Sequence, residues 1–248
     1  MVSAALGAAF VLVPLVAIVL FFAVMALVGF APDGREYVLR ITPDRQTPHP
    51  WINVIAREDF GFHVSAEGAP YTWAVNSRDY QITPWSNDPV TNRPGEAILI
   101  HDPETGRTAT PFLGLSDDRD AVHETAHGLG YSRFSGDYGW VRVEATMTLD
   151  PRHPARLTRL TVTNRTDRPL SLHGVAYAEL VLGTDRARTA PMVQTCFDPE
   201  TEGACHSYGI LCCGDSRIDK YGISTHLHTF GGVARATYAR IDDDGDGT

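Results

Sequence analysis

The chain reads as an all-β protein, a large antiparallel β-sandwich or barrel, preceded by one transmembrane helix. Three observations predict this. Short apolar runs rich in Val, Ile, Thr and aromatic residues recur along the chain, separated by Gly, Pro, Asp and Asn turns. Residues 140–149, WVRVEATMTL, alternate apolar and polar side chains, the period of a strand with one wet face. No segment after residue 32 holds a helical period over three turns.

The first element is the apolar run. Residues 1–32 carry no charged side chain, and the stretch 4–31 exceeds the ~20 apolar residues that span a bilayer. No Lys or Arg precedes it, so it lacks the basic start of a secretory signal. Pro14 is tolerable within such a helix. Arg35 and Arg40 follow it, and the positive-inside tendency then puts the remainder in the cytoplasm.

Residues 33–50 read as a linker with one short strand, 36–41, because three prolines crowd 43–50. Candidate strands follow at 52–56, 60–65 and 71–75, with a Gly/Pro turn at 66–70. Another at 97–102 closes on the turn 102–106. The Thr/Val-rich run 156–164, the turn 164–169 and the run 170–183 read as a long antiparallel hairpin.

Composition excludes some functions. The formal net charge is −9, from 21 Lys and Arg against 30 Asp and Glu, and no basic cluster stands out. Nucleic acid is therefore not an expected partner, since phosphate contacts need clustered cations. Cys196, Cys205, Cys212 and Cys213 lack zinc-ligand spacing and read as free thiols of a reduced compartment. The end, 242–248, alternates Asp242, Asp244 and Asp246 but lacks the distal Glu of a calcium loop, so it reads as a solvated tail. No metal or cofactor is expected.

Residues 123–127, His-Glu-Thr-Ala-His, match the H-E-x-x-H pattern of zinc proteases. That chemistry needs a helix, so that both histidines share one face a turn apart. Gly128 and Gly130 would end such a helix early, each at about 1 kcal/mol relative to Ala. Arg133 occupies the place of a third ligand, and Glu144 lies in the alternating strand. A protease is the remote alternative. In the other reading His123 is an exposed loop residue, and His127 holds a turn through its ring nitrogens.

Read wider, the same stretch points elsewhere. Residues 127–134, HGLGYSRF, resemble the H-G-x-G-Y-S-R-F segment in the N-terminal β-domain of cyclic β-1,2-glucan synthases, which group with the cellobiose and chitobiose phosphorylases of glycoside hydrolase family 94. Residues 47–56, 60–90, 94–106 and 157–183 are similar to the same family, and the run from Asn76 to Pro89 is its most specific part. The resemblance implies a galactose-mutarotase-like supersandwich over 51–200, followed by a divergent tail, 201–248. It also implies an (α/α)₆ barrel as the catalytic unit, with no positions in these 248 residues. No catalytic residue is therefore assigned. The chain is expected to be inactive alone, with the barrel or a partner subunit, the membrane and a β-glucan or oligosaccharide as partners. A bacterial inner-membrane, single-pass location with the sandwich in the cytoplasm follows from the same resemblance. A stand-alone membrane-anchored carbohydrate-binding or scaffold protein is the alternative.

Sugar sites join an aromatic platform to amide, carboxylate and Arg groups. Tyr71, Trp73, Tyr80 and Trp85 lie beside Asn76, Arg78, Asn87 and Asp88, and Tyr131, Arg133 and Trp140 form a second group. The candidates for contact with glucan or barrel are Arg78, Trp85, Asn87, Asp88 and Arg133. Trp73, inside a strand, is expected in the core.

Overall fold

The computed structural model describes residues 28–88, 90–198, 203–208, 221–230 and 233–242, with side chains to residue 191 and at 193. Sixteen strands are described. They are β1 (Val28–Phe30), β2 (Glu36–Ile41), β3 (Ile52–Ala56), β4 (Phe60–Ser65), β5 (Pro70–Ala74) and β6 (Glu96–His101). Then come β7 (Thr108–Ala109), β8 (Val122–Gly128), β9 (Tyr131–Asp137), β10 (Val141–Leu149) and β11 (Ala155–Asn164). The last are β12 (His173–Ala178), β13 (Val193–Asp198), β14 (Gly203–Tyr208), β15 (Tyr221–Phe230) and β16 (Val233–Asp242). One short helix, α1 (Arg186–Thr189), follows Asp185, whose carboxylate accepts from the backbone N–H of Ala187 and Arg188.

Ten strands form one sheet in the order β1-β2-β8-β9-β10-β11-β16-β15-β14-β13, and two three-stranded sheets run β12-β6-β7 and β3-β4-β5. The β3-β4-β5 sheet lies on the large sheet. Ile55, Phe62 and Val64 from one meet Phe134, Ala145 and Met147 from the other, with Phe112 between. Phe112 and Phe134 meet edge to face at 5.2 Å. The alternation read in 140–149 has this cause. Val141, Val143, Ala145 and Met147 are buried toward the layer above, while Arg142 and Glu144 face away.

Three expectations change. The run 170–183 does not pair with 156–164. Strand β11 lies between β10 and β16, with Leu160 opposite both Ala145 and Ala234. Both its edges are therefore taken, and the segment 165–172 carries the chain to another sheet, where Val175 of β12 sits opposite Leu99 of β6. A tight hairpin would have needed a loop of two to five residues. Second, residues 36–41 are no linker strand, because β2 pairs with β8 inside the large sheet. Third, the described parts of 201–248 are strands of that sheet, with Thr237 of β16 opposite Leu157.

The apolar run 4–31 falls outside the described residues except for its end, where Val28–Phe30 is a strand paired with Tyr37–Leu39. Among the described residues no helix is long and apolar enough to cross a membrane. Within the late strands, register puts Cys196 opposite Cys205, while Cys212 and Cys213 lie outside the described residues.

A buried ion pair sits between the layers. Arg156 of β11, 1% exposed, donates from Nη1 to Thr72 Oγ1 of β5 at 2.6 Å and to Glu96 Oε1 of β6 at 3.0 Å. Its Nη2 donates to Glu96 Oε2. Its guanidinium carbon lies 5.6 Å from the centre of the Phe62 ring. A single buried ion pair thus ties all three sheets.

Candidate functional site

Strand alternation gives the β3-β4-β5 sheet two different faces. The inner face carries Ile55, Phe62, Val64 and Thr72. The outer face carries Ile52 and Val54 of β3, His63 of β4, and Tyr71 and Trp73 of β5, since register sets Val54 opposite His63 and His63 opposite Tyr71. Trp73 is therefore not in the core between the layers, contrary to expectation. Its ring lies over Gly61, where a Cβ would stand 2.6 Å from the indole. Gly61→Ala is expected to cost about 1–3 kcal/mol through this clash. A chemical-denaturation midpoint equal to that of the unmodified chain would show that the indole yields freely.

The chain leaves β5, buries Ile82 and Thr83, and then crosses this outer face. There Trp85 stacks on Tyr71, centroids 5.8 Å apart and planes at 29°, and meets the His63 edge at 5.2 Å. Trp73 lies 5.3 Å from Tyr71 and 6.2 Å from His63. Four rings thus form one cluster, with Trp85, 51% exposed, on its solvent side. Ile52 at 47% and Val54 at 57% continue the apolar surface.

The cluster is uncharged at neutral pH. His63 is 6% exposed and neither ring nitrogen has a hydrogen-bond partner among the described residues. Burial lowers its pKa to about 4. Burial likewise pushes the Tyr71 hydroxyl up to about 12. That hydroxyl donates to the Ser77 carbonyl, fixing the ring under Trp85. An uncharged aromatic surface suits the C–H face of a sugar ring.

Three of the other four candidates lie near this platform in sequence, on the two turns around Trp85. Arg78 is exposed on the first, where Asn76 Oδ1 accepts from the N–H of Arg78 at 3.1 Å and of Asp79 at 2.8 Å. Asn87 is exposed and adopts φ +49°, a left-handed conformation that Asn tolerates. Asp88 folds back on its own turn, accepting from Val90 N at 2.8 Å, Thr91 N at 3.2 Å and Thr91 Oγ1 at 2.7 Å. These bonds, the Thr91 hydroxyl first, hold its pKa below 3.8.

Arg133 is elsewhere. It lies on β9 opposite Ala126, on the face of the large sheet away from the core, and so on the far side of the two layers from Trp85. There its Nη2 donates to Glu36 Oε2 at 2.6 Å, and the Tyr131 hydroxyl donates to Oε1 at 2.9 Å. Trp140 precedes β10 at the other end of the β9–β10 pair and packs against the cluster of Ile100, Ala109, Val141 and Val143, so the second aromatic group does not assemble.

The H-E-x-x-H residues form strand β8, not a helix. Five residues of strand span roughly 13 Å from first to last, and alternation sends Glu124 to the face opposite His123 and His127. Glu124 pairs with Arg40 at 3.1 Å on that outer face. His123 is not an exposed loop residue but 1% exposed, facing the core opposite Ile41. His127 does hold a turn, its Nδ1 2.9 Å from Ser132 Oγ across the β8–β9 hairpin. The glycines serve that hairpin. Gly130 takes φ +81°, and the Tyr131 ring lies where a Cβ on Gly128 would be.

His63 was not among the candidates from sequence. Its signal was parity: it shares odd positions with Tyr71 and Trp73, on strands whose even positions are core residues.

Fold and site together define an antiparallel sandwich module that presents an aromatic platform. The chain belongs to the glycosyl hydrolase 94 supersandwich domain family, whose model matches residues 35–218. It is 53% identical over 170 residues to the cyclic beta-(1,2)-glucan synthase NdvB of Rhizobium meliloti, covering 68% of this chain and 6% of that protein. It is 28% identical over 152 residues to the N,N'-diacetylchitobiose phosphorylase of Vibrio furnissii. For the corresponding phosphorylase of Vibrio proteolyticus the identity is 26% over 155 residues. Each match covers 60% of this chain and 19% of the phosphorylase. The chain thus spans a small fraction of the length of the relatives it matches.

Proposed function

We propose that this chain is the carbohydrate-contacting and supporting β-sandwich module of a glucan synthase or β-glucan phosphorylase-like enzyme. The observation that carries this reading is the half-exposed Trp85, stacked on Tyr71 above a neutral His63. A free indole face backed by a rigid ring is the arrangement that holds a sugar against water. Similarity to a glucan synthase and to two chitobiose phosphorylases favours glucan as the ligand class. In this reading a catalytic barrel or partner subunit performs the chemistry and the module alone has no turnover. The part of the apolar run ahead of β1, residues 4–27, attaches it to the bacterial inner membrane as a single pass, with the sandwich on the cytoplasmic side.

Calorimetric titration of the full chain in detergent, with β-1,2-glucan and with N,N'-diacetylchitobiose, tests the platform. Trp85→Ala is expected to weaken glucan binding about tenfold, near 1.4 kcal/mol. Equal affinity in both proteins would remove Trp85 as the platform. No binding by either would leave only the scaffold role. Release of sugar phosphate from glucan and inorganic phosphate by the chain alone would contradict the absence of turnover.

A further inference from the structure

A second concave site lies where the Pro-rich segment 43–50 passes the turn between β4 and β5. It encloses about 570 Å³, within the range of small-molecule sites. One wall is Pro43, Pro48 and Pro50, and the other is Val90, Thr91 and Asn92. Gln46, Thr47, Leu113, Gly114 and Ser116 complete the lining, with Glu67 among them. The sequence had marked these segments only as a linker and a turn.

Glu67 is 8% exposed and is the only charged residue in the lining among the described residues. A carboxylate offers about four acceptor positions. Asn92 Nδ2 gives one hydrogen to Glu67 Oε2 at 3.0 Å and the other to Ser65 Oγ at 2.8 Å. Thr47 Oγ1 lies 3.0 Å from Glu67 Oε1 but only 2.6 Å from the His49 carbonyl. A hydroxyl has one proton, shared between the two, so Thr47 and Asn92 fill at most two of the four acceptor positions. The carboxylate therefore keeps acceptor capacity for a donor in the cleft.

Its position is rigidly set. The Glu67 carbonyl accepts from Gly114 N at 2.9 Å. Asn92 reaches Glu67 from φ +38°, in the left-handed region that Asn tolerates. Its N–H donates to the Asp88 carbonyl at 3.0 Å, holding the turn that aims the amide inward.

We propose that this cleft binds a neutral sugar unit, with Glu67 and Asn92 taking its hydroxyls and the proline wall facing its C–H groups. An anion is disfavoured by Glu67. A calcium-type cation takes six to eight oxygens, commonly several of them carboxylate, and here there is one carboxylate. An apolar ligand would strand Glu67, Gln46 and Asn92. A neutral polyol satisfies both kinds of wall. The proposal rests on the carbohydrate reading above and adds a second contact region, on the same loop as Trp85 but several residues beyond it.

The test uses the full chain in detergent with β-1,2-glucan as probe. Glu67→Gln, Asn92→Gly and Gln46→Ala are each compared with the unmodified chain. Asn92→Gly keeps the left-handed backbone accessible. Among the described residues Gln46 hydrogen-bonds only to the nearby Pro43 carbonyl, so its loss leaves the fold intact should Glu67→Gln fail to fold. Expected is a weakening of about tenfold for Glu67→Gln and Asn92→Gly, about threefold for Gln46→Ala, and little change with added salt. Glucan binding that all three variants retain overturns the cleft while the Trp85 platform stands. Absence of glucan binding to the unmodified chain overturns both readings. Binding that collapses with salt, or is displaced by calcium, shows a cation site instead and also overturns the proposal.

Discussion

Arg156→Met is expected to be the most destabilising single change in the described part of the chain. Glu96 is 5% exposed and Arg156 1%, so the substitution leaves a carboxylate between layers without its guanidinium. Breaking such a pair costs about 3–5 kcal/mol, because the remaining charge stays buried. At this chain length that lowers the melting temperature by roughly 10 °C. Glu96→Leu alone should do the same from the other side. The double variant Arg156→Met/Glu96→Leu should recover most of the loss, since two apolar side chains leave no stranded charge. Chemical denaturation of the four proteins gives the coupling directly. If the double variant is as unstable as the sum of the singles, the pair is not what joins the sheets.

Stability should fall as pH drops from 6.5 toward 4, and His63→Phe should reduce that sensitivity. His63 and His127 both have pKa values lowered to about 4 by burial, opposed at His127 by the Trp51 backbone. Burial lowers His123 as well, against the Pro111 backbone and Asp118. In the unfolded chain each binds its proton near pH 6.5. Between these values the unfolded state holds more protons, so stability rises with pH. The stability is complete above about pH 6.5 and is lost as pH falls toward 4. For His63 the full difference is about 3 kcal/mol. Asp88 and Asp150, both held below 3.8 by hydrogen bonds, lose their contribution only at lower pH, so the two windows separate. Stability of the His63→Phe variant relative to the unmodified chain should therefore grow as pH drops from 6.5 to 4. Parallel curves would mean that the imidazole is not held neutral.

Much of the fold was legible because strand signals are local. Residues 52–56, 60–65 and 141–149 each carry their own pattern of apolar and β-branched residues, and each is a strand. The turn at 102–106 was legible for the same reason, and Gly106 N donates to the Asp102 carbonyl at 2.8 Å. Pairing was less legible. The segment 170–183 looked like the partner of its neighbour, but its strand found β6, some 75 residues earlier in the chain. The candidate site divided along the same line. Trp85, Asn87 and Asp88 share one turn region and stay together, whereas Arg133 belongs to another layer and joins Glu36.

By itself, the sequence determined that this is an antiparallel β protein of the glycosyl hydrolase 94 supersandwich family, with aromatic residues clustered around 71–85. Those properties follow from local periodicity and from motifs read along the chain. Only the tertiary structure decided which face each residue occupies. Periodicity states that neighbours alternate, but not which side another sheet will cover. The cover over Phe62 and Val64 placed His63, Tyr71 and Trp73 on the opposite face, under Trp85. The same rule, applied to β8, turned a zinc-like pentapeptide into a strand with one buried histidine, one surface ion pair and one hairpin contact.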